Sequence, residues 1–464
     1  MAKTTFALFF GNRGFFPGEL IASAREAMIA ACEKHGYGYI IMDESLTRYG
    51  AVETLAEGKL YAKFLKEHEG EYDGIILSLP NFGDENGASA AFKDVDVPIL
   101  IQACPDEMDK MDFAHRRDSM CGKLAMCNVL RQMNIKYTLT KSFCVDILSD
   151  EFAEDLRLFA GTCRVVKGMR KFNVGAIGAR TTAFKTVRCD EIAFQSKRVN
   201  IETIDMSQVF TMMDNADPAK VEAKKQKYLA LSDFSKWAPE KLENIARLGV
   251  AVDEIIESFD LQAVAIRCWD ELQKRYGIAP CLILGELNER GIAAACELDT
   301  TNAVMMRAVG LAADHPVVLL DVNNNYNNDP NKCIFFHCGP APISMMEGAG
   351  EIQQHLMFKK SYGDGSGVGI NVGQLIKGDM TVGSFKTENG QLCAFVTEGK
   401  FTEDVLPDCF FGMGAVFEKE NVNEMLNYMA TNGYRHHVAI TKGNYAQSVV
   451  EAFRNYIDYK IDLI

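Results

Sequence analysis

The sequence predicts an α/β protein in which two Rossmann-like parallel-sheet domains are followed by a smaller β-rich carboxyl-terminal domain. Three observations carry that prediction. Short apolar runs alternate with longer amphipathic stretches, a spacing of strand, helix and strand that implies parallel pairing with right-handed crossovers. The chain, at 464 residues, is too long for one ordinary core. After Pro342 the texture changes to Gly-rich loops and short β-like runs separated by turn signals, the pattern of a small β domain or partial barrel. The boundaries this sets are residues 1–162, 163–344 and 345–464.

Within the first domain, Phe6 to Phe10 reads as a strand, Gly18 to His35 as a helix and Tyr39 to Met42 as a strand. Ala51 to His68 reads as a helix, Gly74 to Leu79 as a strand, Asn81 to Gly87 as a loop and Val97 to Gln102 as a strand. The loop Gly11-Asn-Arg13-Gly14-Phe-Phe-Pro-Gly18 follows a strand and opens a helix, so its amides could hold an anion. It fits neither GxGxxG nor the P-loop pattern, which favours a tight turn, with Arg13 free to face a substrate. His115 to Lys123, including Arg116 and Arg117, is the densest basic cluster in the chain and precedes a helical pattern from Leu124 to Met133. Such a cluster reads as a solvated face, or as a contact to substrate or to a neighbouring subunit.

The second domain starts near Cys163, with Phe172 to Gly178 as its strand and Ala179 to Phe184 as the loop that follows. A loop after a parallel strand lies on the ligand side of the sheet, making Arg180 and Lys185 candidates there. Asp214 to Arg247 is charged and amphipathic and reads as helices, continued through Val250 to Phe259. Ala263 to Cys268 returns to strand. In the third domain, Met380 to Phe385 and Leu392 to Thr397 read as strands, and Tyr434 to Ile440 as another entered from a turn at Gly433. Side chains alternate faces along a strand, so His436 and His437 are not expected to point at one ion together.

Composition narrows the function. Apolar residues make up 48% and charged residues 24%, a globular balance, and the formal charge is −14. A nucleic-acid or anionic-membrane partner would need a basic surface, so neither is expected. The 14 cysteines are scattered, without a CxxC pair, and read as reduced, buried thiols. The apolar piece at Phe6 to Phe10 is too short for a secretion signal, and no run is long enough to span a bilayer. A cytoplasmic location is the expectation.

The stretch from Pro280 to Pro342 holds the chemistry. It contains apolar runs that end in polar residues: Gly291 to Cys296 leading to Glu297, Val317 to Leu320 leading to Asp321, and Ile334 to Phe336 leading to His337. Ligands of open α/β sheets collect beyond strand carboxyl ends, so these three side chains are expected to converge. Two carboxylates and an imidazole suit Mn²⁺, Fe²⁺, Co²⁺ or Zn²⁺. The bland alternative is a helix cap at Glu297, an Asn-rich turn opened by Asp321 and a core histidine at His337.

A set of short motifs here resembles the L-fucose/L-arabinose isomerase family. They are Cys268-Trp269, Gly277-Ile-Ala-Pro280-Cys281, Arg290-Gly291, Ala295-Cys296-Glu297-Leu298-Asp299, Leu320-Asp321 and Phe336-His337-Cys338-Gly339. The resemblance covers roughly the middle third of the chain, with one further match near its carboxyl end. It implies an aldose-ketose isomerase, Mn²⁺ as the ion, a homohexamer, and an amino-terminal domain that helps close the site of an adjacent chain. It also implies a carboxyl-terminal histidine ligand, assigned to His437 with His436 as fallback, and a position at His337 where family members differ in the ligand supplied.

The expected site is therefore a metal held by Glu297, Asp321, His337 and His437, with Glu297 and Asp321 also exchanging protons with a sugar. Arg13, Arg116, Arg180 and His436 are the expected substrate contacts. So many bases in an acidic chain would suit a phosphorylated or sulfonated hexose; ordinary surface charge is the competing reading. The competing functions are a sugar-binding protein without catalysis and a metal-dependent sugar epimerase or aldolase.

Overall fold

The computed structural model describes residues 3–464, which fall into two compact units, Met1–Lys167 with Glu451–Asp458, and Gly168–Val450 with Tyr459–Ile464.

The first unit carries β1 (Thr5–Phe10), β2 (Gly38–Ile41), β3 (Gly74–Leu79), β4 (Ile99–Ala103) and β5 (Thr138–Leu139). They form one parallel sheet in the order β2-β1-β3-β4-β5. Alternate residues of β1 enter different cores: Phe6, Leu8 and Phe10 pack on one face of the sheet, Ala7 and Phe9 on the other. A strand covered on both faces reads as a continuous apolar run, which is how this one is written. The helices α1 (Leu20–Lys34), α2 (Leu55–Glu67), α3 (Glu85–Phe92), α4 (Ser119–Gln132) and α5 (Asp150–Met169) alternate with the strands.

Two sequence expectations shift here. The helix read from Ala51 begins only at Leu55, because Val52 is drawn into backbone hydrogen bonds with Phe10 and Asn12 and Thr54 then caps the helix by accepting from Glu57 N–H. The loop read at Asn81 to Gly87 already contains the start of α3, capped by Asp84.

The basic cluster is not simply a solvated face. Lys123 is fully buried and donates to Thr140 Oγ1 at 2.7 Å and to the Phe143 carbonyl at 2.8 Å, and burial pushes its amine down to about 8. Arg116 pairs with Asp118 at 3.1 Å. Arg13 lies over the Phe82 ring and donates from Nε to the Gly83 carbonyl at 3.0 Å, which closes the loop after β1 onto its neighbour.

At the contact of α2 with α3, a Cβ on Gly58 would stand 2.1 Å from the Gly87 carbonyl oxygen. Both sides are backbone, so neither yields cheaply. Gly58→Ala is expected to cost about 1–3 kcal/mol, read as a lower urea midpoint with an unchanged slope.

The second unit opens with a four-stranded parallel sheet made of β6 (Phe172–Ile177), β7 (Val199–Ile204), β9 (Leu261–Ile266) and β10 (Ala293–Cys296), in the order β10-β9-β6-β7. The short β8 (Ser232–Asp233) belongs instead with β13 (Gly350–Gln354) and β14 (Val368–Val372). Helices α6 (Glu191–Ser196), α7 (Met206–Asp214), α8 (Pro218–Leu231), α9 (Pro239–Ser258), α10 (Glu271–Tyr276), α11 (Cys281–Glu289) and α12 (Thr300–Ala313) follow in chain order.

The remaining strands are β11 (Val317–Asn325), β12 (Lys332–His337), β15 (Gly378–Glu388), β16 (Gln391–Phe401), β17 (Met413–Glu418), β18 (His437–Lys442) and β19 (Lys460–Leu463). They run in the order β15-β18-β11-β12-β17-β16-β19, and β15 also pairs with β16. The sheet thereby closes on itself as a barrel, leaving no open edge in the ring. Its interior is lined by Val318, Leu320, Phe335, Val382, Phe395 and Ile440, among others. Two of its strands, β11 and β12, precede residue 345.

All 14 cysteines are free thiols. Among the described residues, no helix is long and apolar enough to cross a membrane.

Candidate active site

The site lies where the parallel sheet of the second unit meets the barrel. At the end of β10 the chain turns through Glu297 (φ 59°) and Leu298 (φ 62°), consecutive left-handed residues that are not glycine. Backbone of this kind is costly, and it persists only where the surroundings fix it. Asp299 then caps α12, accepting from Asn302 N–H.

Barrel register supplies the other groups. Asp321 of β11 stands directly opposite His437 of β18 and is also paired with Phe336 of β12, one residue before His337. Residues directly opposite in an antiparallel pair share a face. Asp321 therefore sits inside a strand, not beyond its end as expected, because β11 continues through Asn325.

The distances are short. Glu297 Oε2 is 3.0 Å and Asp321 Oδ1 3.3 Å from His437 Nε2, and Asp321 Oδ1 is 3.9 Å from His436 Nε2. Glu297, His337 and His437 each offer an atom within 4.8 Å of the others, and so do Asp321, His436 and His437. The alternation expected of His436 and His437 fails because β18 becomes regular only at His437. His436 precedes the strand, held through its carbonyl by Val322 N–H, and its ring packs edge-on against that of His437 at 4.6 Å.

His337 and His437 are buried. Burial alone opposes charge on His437, but hydrogen bonding to Asp299 and the nearby carboxylates outweigh it and push the imidazole up to about 10. The same His437 holds Glu297 below its ordinary value against the effect of burial. Burial pushes His337 down, with the neighbouring carboxylates only partly offsetting it.

Asp321 Oδ1, His337 Nε2 and His437 Nε2 are buried atoms without an aligned hydrogen-bond partner. Orphaned polar atoms of this kind call for an occupant. Converging carboxylate and imidazole groups suit a divalent ion, so the residues present fit one.

Behind the site, Asp299 is fully buried and is a group the sequence reading gave no role. It accepts from His437 Nδ1 at 2.9 Å, from Arg435 Nη1 at 2.6 Å and from Asn302 Nδ2 at 2.7 Å. Asn302 in turn donates to the His437 carbonyl. The only signal in the sequence was an acid just ahead of a Thr-Thr-Asn helix start, which also describes an ordinary cap.

Phe184, at the end of the loop after β6, packs 5.6 Å from His437, 5.7 Å from His436 and 5.8 Å from Trp269. The loop expected on the ligand side therefore does reach the site. Its Arg180 is half-buried and donates to the carbonyls of Thr181 and Thr182, while Lys185 is exposed. Arg13 and Arg116 belong to the amino-terminal unit.

Comparison with known proteins adds to this geometry. Residues 7–170 match the model of the fucose/sulfoquinovose isomerase N-terminal domain, and residues 335–464 that of the L-fucose isomerase C-terminal domain. A sulfoquinovose isomerase of Alkalicoccus urumqiensis is 24% identical over 406 residues, covering 84% of this chain and 86% of the relative. One from Priestia aryabhattai is 21% identical over 347 residues, covering 73% and 74%. A third, from Clostridium sp. (strain MSTE9), is 23% identical over 198 residues, covering 41% and 43%.

Proposed function

The chain belongs to the L-fucose isomerase-like family and is an aldose-ketose isomerase, and from that premise we propose that it converts a sulfonated aldohexose into its ketose through an ene-diol, with Mn²⁺ bound. The observation that carries the reading is the meeting of Glu297 and Asp321 at His437 Nε2, with two of these buried atoms, Asp321 Oδ1 and His437 Nε2, left without an aligned hydrogen bond.

In this reading Glu297, Asp321 and His437 hold the ion, with His337 beside them. A divalent ion supplies electrophilic stabilisation of the negative charge that grows on the first two sugar oxygens. Moving a proton between adjacent carbons needs a base and an acid, and Glu297 and Asp321 are the carboxyl groups at hand. Glu297, held below its ordinary value by His437, is ionised at neutral pH and can take the carbon-bound proton. Asp321 exchanges protons with the sugar oxygens. Phe184 and Trp269 present apolar ring surface beside His436 and His437.

His436 and Arg180 are assigned to substrate contact. In a homohexamer, Arg13 and Arg116 of an adjacent chain would join them, and a cytoplasmic location belongs to the same proposal. The sulfonate assignment is supported by the sulfoquinovose isomerases to which the chain is similar.

The test is a screen of Mn²⁺-reconstituted protein against sulfoquinovose, glucose 6-phosphate and glucose. Because a site built for a charged group rejects analogues that lack it, kcat/KM for the sulfonated sugar should exceed that for glucose by about 100-fold or more. Equal turnover of all three would end the substrate assignment. Following the reaction by NMR in D₂O distinguishes isomerisation, which leaves every carbon-carbon bond intact, from aldol cleavage and from epimerisation.

A further inference from the structure

His337 and His437 sit side by side, with ring centroids 6.2 Å apart, yet their Nδ1 atoms play opposite hydrogen-bonding roles. An imidazole nitrogen that accepts a hydrogen bond carries no proton, and one that faces a carboxylate carries one. His437 Nδ1 faces Asp299 Oδ2 at 2.9 Å. A carboxylate only accepts, so Nδ1 carries a proton; Nε2 faces Glu297 Oε2 at 3.0 Å and Asp321 Oδ1 at 3.3 Å, and it is the nitrogen that an ion held by those carboxylates would take, the arrangement in which an outer carboxylate orients a ligand histidine.

His337 is wired the other way. The backbone N–H of Cys338 donates to its Nδ1 at 2.8 Å. That nitrogen must therefore be the bare one, and the ring proton stays on Nε2, which is buried and has no partner in the protein.

The Cys338 amide cannot easily turn away. His355 Nδ1 accepts from Met357 N–H, so His355 directs its Nε2–H at Cys338 Sγ, 3.1 Å distant. On the other side, Gly339 lies so close to Asn371 that a Cβ would stand 2.6 Å from its backbone nitrogen. For His337 to ligate a metal through Nε2, its proton would have to move to Nδ1, bringing two N–H donors face to face.

We infer that His337 is not a metal ligand but a hydrogen-bond donor: its Nε2–H addresses the substrate oxygen on which negative charge develops, beside an ion held by Glu297, Asp321 and His437. The inference rests on the isomerase reading above and deepens it. It reassigns a residue that the sequence placed among the ligands, and it makes His337 a catalytic residue by direct contact with substrate. A donor aimed where charge appears strengthens in the transition state.

The test uses the full chain with His337→Met, which fills similar volume without a donor, and His337→Gln, which returns an N–H near the position of Nε2. Mn²⁺ alone is titrated against each, with the free ion read by electron paramagnetic resonance, and thermal melting of the metal-free proteins checks folding. Both variants should bind Mn²⁺ within about threefold of wild type. His337→Met should lose kcat by roughly 10²–10³-fold, and His337→Gln should recover at least about 10-fold of that. A loss of Mn²⁺ affinity of 10-fold or more in both variants, with melting unchanged, would make His337 a ligand and overturn the inference. So would a kcat for His337→Met within threefold of wild type. Wild-type protein that neither binds Mn²⁺ nor isomerises any sugar would overturn the isomerase reading and this inference with it.

Discussion

Glu297→Gln is expected to lower kcat for ketose formation by roughly 10³–10⁴-fold while leaving the protein folded. The size follows from the double duty assigned to this carboxylate, since loss of a general base alone typically costs about 10²–10⁴-fold. Folding should survive because glutamine has the same shape and places no new demand on the left-handed turn at residues 297 and 298. The side chain faces His437 Nε2 at 3.0 Å, and the amide oxygen of glutamine can still accept there. Turnover by a coupled ketose assay, beside circular dichroism of both proteins, is the measurement. Activity within 10-fold of wild type would remove Glu297 from the chemistry.

Asp299→Ala should have the largest effect on stability. Arg435 and Asp299 have side chains 5% and 0% exposed, and taking away the acid strands a buried guanidinium together with the N–H groups of His437 and Asn302. Breaking a buried pair in this way costs about 3–5 kcal/mol, which should appear as a marked fall in the urea midpoint. The His437 ring also loses what fixes its tautomer, so Mn²⁺ affinity should drop roughly 10–100-fold. Burial works to raise the Asp299 carboxyl, but Arg435 and His437 overcome it and hold it well below the usual carboxylate range. The sign follows: a depressed carboxylate stabilises the fold fully above its unfolded value of about 3.9 and loses that contribution only as pH falls further, toward the folded value. The difference in stability between wild type and Asp299→Ala should therefore be constant from pH 5 upward as far as this group is concerned, and should narrow in stronger acid. Equal midpoints at neutral pH would show that the network contributes nothing.

Local signals carried much of the architecture. Alternation of apolar and amphipathic segments was enough for the first parallel sheet and most of the second, since strands such as β1 and β3 are buried on both faces and so are written as unbroken apolar runs; β7, mostly half-buried, carries no such run and went unread. The turn at Glu297 was also legible, because it ends such a run. Closure of the barrel was not, because it depends on pairing between strands far apart in sequence, β11 with β18 and β15 with β16. For that reason Asp321 was expected past a strand end and lies inside one. Lys123 shows a similar limit: a lysine in a basic stretch reads as solvated, and only Thr140 and the Phe143 carbonyl explain how its charge is tolerated in the interior. Asp299 and Arg435, the deepest support of the site, left no pattern distinguishable from a helix cap and a turn.

The order in which the barrel strands leave the ribosome has its own consequence. Glu297 and Asp321 are synthesised well before His437, and only the pairing of β18 with β11 brings that imidazole to them. A nascent chain halted before residue 437 would hold the acidic half of the proposed cation site and none of its nitrogen donors from β18. In the proposed site, loading with a divalent ion would thus be a late event in the life of the polypeptide, and unfinished chains would have little means of sequestering it.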